Sequence, residues 1–179
     1  MARFRIALRG LAMLAATMAG PAVAATFESL HADRWMWAEG VDRITGQTVG
    51  RAYLMTTEIV DVTAGLEEVR LALTCTGGKP VMDIEWSFKA AGSANLTLEY
   101  RFAGQPGRSL EVRYVNRSRE QVTDLAGIRR FLADARVSDI LRLRVTSDLY
   151  GVREAAFKAA AGPDIYRRFT VACPAAASP

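Results

Sequence analysis

Histidine is almost missing from this chain. His31 is the only one in 179 residues, so no catalytic or metal site that needs two imidazoles is available. His31 itself stands in a bare His-Ala-Asp context and reads as a solvated lead-in residue. The sequences that announce common chemistries are absent too. There is no G-x-S-x-G, H-E-x-x-H, Walker loop or G-x-G-x-x-G, which removes the usual hydrolase, zinc-protease and nucleotide-binding readings. Cysteine is held to two residues, Cys75 and Cys173. They do not form a C-x-x-C, the usual mark of a redox pair, and a thiolate metal site would need further ligands. No catalytic residue, cofactor or metal site is expected.

Acidic residues are missing from the start, where none precedes Glu28 while Arg3, Arg5 and Arg9 are present. The apolar run Gly10–Ala19 follows, then the helix breaker Gly20-Pro21 and the small residues Ala22-Val23-Ala24. That order predicts a secretory signal over residues 1–24, cut after Ala24 or after Ala25. The run is shorter than the roughly 20 apolar residues that span a bilayer, and no second run is long enough. With no arginine pair before the run and no cysteine after it, the general secretory route is the expectation, leading to the periplasm or beyond.

Export changes how the charge should be read. Without the three signal arginines, 23 Lys+Arg become 20 against 19 Asp+Glu. The basic isoelectric point is therefore mostly a targeting property, and a nucleic-acid partner is not expected. In an oxidising compartment Cys75 and Cys173 are most simply a structural disulfide.

What the chain does have is alternation. Trp35 and Trp37 open a strand and Arg51 to Val60 is rich in β-formers. Val69, Leu71, Leu73 and Cys75 share one face opposite Arg70, Ala72 and Thr74. The same pattern recurs in Met82, Ile84, Trp86 and Phe88, in Leu96, Leu98, Tyr100 and Phe102, and in Leu110, Val112 and Tyr114. From Gln121 to Ala135 the period changes to that of a helix, with Thr123 or Asp124 as cap. Leu141, Leu143 and Val145 then alternate with Arg142 and Arg144 and turn through Asp148–Gly151 into Val152 to Phe157. Ala161-Gly-Pro-Asp164 starts a last helix that carries Ile165, Phe169 and Cys173. The prediction is a mainly β (α+β) fold. It is an antiparallel meander or sandwich of about seven or eight strands with one amphipathic helix and a short C-terminal helix. The single domain runs over residues 25–174, with a flexible tail at 175–179.

Charge is divided along the chain, the basic excess lying after Tyr100. Arg129, Arg130, Arg142, Arg144, Arg167 and Arg168 are the candidates for an anion-binding surface if they converge, the partner being an envelope protein or an anionic envelope component. The opposing expectation is that they pair with the acidic strands across the sheet. Asp83 and Glu85 project from one strand face, and with Glu99 and nearby arginines they would serve a cell-envelope hydrolase or hydrolase inhibitor if a cleft gathered them. Trp35 and Trp37 read as core packing before a sugar-stacking platform.

The order of parts is similar to a family of small exported proteins associated with bacterial type VI secretion. The residues that carry the resemblance are Ile44-Thr-Gly46, Leu71-Ala-Leu-Thr-Cys75, Ile84-Glu-Trp86 and Leu141-Arg-Leu-Arg-Val145, then Phe157, Gly162 and Ala172-Cys173. A longer hairpin over Tyr100–Gly107 and the Cys-Pro ending depart from that pattern. The resemblance implies a noncatalytic periplasmic accessory protein held by a structural bridge.

Overall fold

The computed structural model describes residues 34–56, 68–86, 96–116, 119–148 and 151–177. The expected signal, His31 and Phe88 lie outside them. Among the described residues the fold is mainly β, with ten antiparallel strands in two sheets and two α-helices. The first four strands form the expected meander: β1 (Met36–Val41), β2 (Thr48–Thr56), β3 (Val69–Thr76) and β4 (Lys79–Trp86). Gly77 and Gly78 join β3 to β4 with φ of 57° and 77°. Two successive positive φ values are what a two-residue turn matching the strand twist requires.

The strand over Leu96–Phe102 (β5) leaves this sheet and begins the second. The single strand expected over Leu110, Val112 and Tyr114 is divided. Arg108–Leu110 (β6) pairs with β5, whereas Arg113–Asn116 (β7) pairs with Arg119–Val122 (β8) in the first sheet. Leu110 stays buried and Val112 and Tyr114 half-buried across the break, so the inward alternation continues although the chain changes sheets. The two sheet orders are β1-β2-β3-β4-β8-β7 and β10-β9-β5-β6, where β9 is Ile140–Ser147 and β10 is Gly151–Lys158. The short strands β6, β7 and β8 raise the count above the seven or eight expected. At the far seam β10 meets β2, where Thr56 Oγ donates to the Ala156 carbonyl at 2.5 Å. The sheets are thus joined at both sides around one core.

The first helix, α1 (Leu125–Ala135), starts later than expected. Glu120 and Val122 turn inward and Arg119 and Gln121 outward, an alternation that β8 uses to pair with β4. Asp124 then caps α1, accepting from the Ala126 and Gly127 amides at 3.0 and 2.8 Å. Phe131 of α1 packs on Trp35, just before β1, and on Tyr100 and Phe102 of β5, so the helix closes over the smaller sheet and the entry to the larger one. The second helix, α2 (Gly162–Ala172), has its proline in the first turn and buries Ile165 and Phe169. Its end is tied to β3 by the disulfide Cys75–Cys173, with Cα atoms 5.7 Å apart. Of the tail expected at 175–179, residues 178–179 lie outside the described residues and the first part is structured. Pro174–Ala176 forms a 3-10 turn that buries Ala176, and the Ala175 carbonyl accepts from Arg129 Nε at 2.9 Å.

Candidate anion-binding face

The smaller sheet buries one face and exposes the other, because Leu98, Tyr100 and Phe102 of β5 and Leu141, Leu143 and Val145 of β9 all turn inward. The residues between them are thereby forced outward. Register then decides which charges meet. Arg144 of β9 stands opposite Glu154 of β10 on one side and Glu99 of β5 on the other. Its guanidinium lies 2.6 Å from Glu154 and 3.7 Å from Glu99, which neutralises the arginine and leaves the row one negative charge in excess. One row along, Arg142 stands opposite Arg101, with only Ala156 on its other flank.

Arg101 and Arg142 are both exposed, and among the described residues neither has a carboxylate within ion-pair distance. Like charges placed directly across a strand pair repel and lower stability. Two hollows flank the pair and share both arginines. One, of about 350 Å³, also takes in Glu99, Ser109, Arg144 and Glu154. The other, of about 420 Å³, adds Gly104, Gln105 and Ile140.

The floor of the first hollow is fixed from inside. Tyr100 Oη donates to Asp134 Oδ2 of α1 at 2.9 Å. The same oxygen lies 2.9 Å from Arg108 Nε, off the hydrogen-bonding direction, so that contact is ionic. Burial, followed by the hydrogen bond to Asp134, pushes the Tyr100 phenol well above its usual range. It stays a proton donor, and Asp134 keeps Arg108 at the rim.

Of the six arginines suggested by sequence, only Arg142 and Arg144 share this face. Arg129 serves the Ala175 carbonyl, and Arg130 lies 3.8 Å from Asp124 on its own helix. Arg167 and Arg168 both engage Asp164 at 2.5 and 2.7 Å and hold its carboxyl below the usual range, Arg167 through its hydrogen bond first. Arg101 was missed by the sequence reading, although the alternation of Tyr100 and Phe102 already turns it outward. The absent signal was the register with β9, a contact between distant residues.

The carboxylates divide in the same way. Asp83 accepts from Gln121 Nε2 at 3.0 Å and lies 3.3 Å from Arg119, while Glu85 pairs with Arg70. Both sit on the six-stranded sheet, engaged by side chains of the adjoining strands. Glu99 does line a hollow with arginines, and Glu154 joins it there. Trp35 is buried edge-on against Phe131, and the half-buried Trp37 meets Phe169 edge-on, each pair with ring centres 6.4 Å apart, so both are packing residues. Among the described residues no three His, Cys, Asp or Glu side chains gather as a metal-holding group, and no helix is long and apolar enough to cross a membrane. Comparison with known protein families, curated proteins and solved structures finds nothing that matches this chain.

Proposed function

We propose that this is an exported periplasmic accessory protein, noncatalytic, which binds an anionic envelope component through the outer face of its smaller sheet. The observation that carries the reading is the Arg101–Arg142 pair, opposed across β5 and β9 without a carboxylate and bordered by two hollows. Uncompensated breaches of a local pairing rule concentrate at functional sites. Two adjacent guanidinium forks match the oxygens of a phosphate or carboxylate better than point charges would. Export is supported by the n-region, apolar run and small-residue site at the start of the sequence, together with the Cys75–Cys173 disulfide, a bond typical of oxidising compartments. The resemblance to small exported proteins of type VI secretion supports a place beside a secretion apparatus.

The test is a ¹H–¹⁵N NMR titration with inorganic phosphate at constant ionic strength. Saturating shifts confined to the outward residues of β5 and β9 are expected, with the Gly104–Gly107 turn following. Shifts centred on α1 or α2, or none at all, would contradict the reading. A second reading, an envelope hydrolase, draws on Glu99 and Glu154 flanking Arg144 in one hollow. It requires turnover of a cell-wall glycan that Glu99→Gln and Glu154→Gln each abolish.

A further inference from the structure

The geometry points to a sugar-like phosphomonoester as the ligand of this face, one phosphate lying between Arg101 and Arg142 and a neutral polyhydroxylated body filling the adjoining hollow. This rests on the anion-binding reading above and specifies its ligand. The first part of the argument is spacing. Directly opposed residues of an antiparallel pair carry their Cβ atoms about 4.5–5.5 Å apart, so both guanidinium groups can reach one tetrahedral anion.

The second part is the company the pair keeps. On the side of the 350 Å³ hollow the neighbours are Glu99, Ser109 and Glu154 around an Arg144 that is already neutralised, with Arg108 at the rim engaged by Asp134. Each carboxylate has about four lone-pair sites and uses only part of them on Arg144. What remains is a set of acceptors suited to hydroxyl donors. Those same carboxylates repel a second negative charge. An extended polyanion, such as RNA or an anionic bilayer surface, would bring further phosphates against Glu99 and Glu154. A ligand with one localised charge and a neutral hydroxylated body meets no such penalty. The hollows, about 350 and 420 Å³, fall in the range that holds small-molecule ligands.

Calorimetric titration of the protein with glucose 6-phosphate, glucose 1-phosphate, inorganic phosphate, glucose and phosphatidylglycerol vesicles separates the possibilities. At least one sugar phosphate is expected to bind about tenfold more tightly than inorganic phosphate, the gain expected of one or two added hydrogen bonds. Arg101→Gln and Arg142→Gln should each weaken it by about tenfold or more, the scale of a lost charge-assisted bond. Both side chains are exposed, so these variants keep the fold. Glu99→Gln should relax the preference, strengthening inorganic phosphate while leaving the sugar phosphate no tighter. If inorganic phosphate binds as well as either sugar phosphate, the sugar assignment falls while the anion-binding face stands. If the vesicles bind and the sugar phosphates do not, the ligand class is wrong. Binding of none of the probes overturns both this inference and the reading it rests on.

Discussion

Tyr100 sits at the boundary between core and face, its ring packed on Phe102 and Phe131 and its hydroxyl given to Asp134. Its phenol is raised in the folded protein above the unfolded value of 10.0, by burial first and Asp134 second. A raised folded value means that the native state holds the proton more tightly. The contribution is therefore complete below pH 10 and lost as pH rises beyond it. Thermal melts between pH 9 and 11 should show wild type losing stability more steeply than Tyr100→Phe. Parallel curves would remove Tyr100 from the account. At Gly162 the constraint is steric. A Cβ there would fall 1.8 Å from the Ala135 carbonyl oxygen, a backbone atom that cannot swing aside. Gly162→Ala should cost about 2 kcal/mol or more, at the upper end of overpacking, read from denaturant unfolding. A cost below about 0.5 kcal/mol, the range of an ordinary surface substitution, would mean that the helices do not approach so closely.

Among the elements, α2 shows how an order of parts becomes a fixed structure. Ile165 and Phe169 bury one side of it, Arg136 just past the end of α1 lies 4.5 Å over the Tyr166 ring, and the disulfide holds its end to β3. The bridge spans 98 residues, so replacing both cysteines by alanine should lower stability by about 2–4 kcal/mol. Hydrogen exchange should then open α2 before the sheets, and unchanged α2 protection would contradict the clamp. Much of this was legible in sequence, since Cys75 ends an alternating run on its buried face and Gly-Pro-Asp opens a helix before Cys173. The division of β6 from β7 was not legible, because an unbroken inward alternation carries no mark of which sheet each half joins. The late start of α1 was hidden for a related reason, as Val122 satisfies both the strand and the helix period. The site was half legible for the same cause. Periodicity turned Arg142, Arg144 and Arg101 outward, but only the registers of β9 with β10 and with β5 reveal that Glu154 and Glu99 neutralise one arginine and leave two exposed.

For the whole molecule, counted without Arg3, Arg5 and Arg9, 20 basic residues stand against 19 acidic ones and leave little net field, so local arrangement decides what is attracted. Most of the arginines considered as a surface are spent on neighbouring carboxylates or a carbonyl, whereas Arg101 and Arg142 oppose each other across β5 and β9 with no carboxylate in ion-pair distance among the described residues. Such an arrangement costs stability when the face is empty and is relieved when an anion occupies it. Phosphate that binds only the native state must also raise its melting temperature. Melting curves of wild type and Arg142→Gln, with and without phosphate at matched ionic strength, test both halves at once. The account predicts that Arg142→Gln melts higher than wild type without phosphate, by up to about 2–4 °C for relief of up to about 1 kcal/mol, and gains less than wild type when phosphate is added. A variant that melts lower than wild type without phosphate, or that keeps the full phosphate-dependent rise, would contradict it.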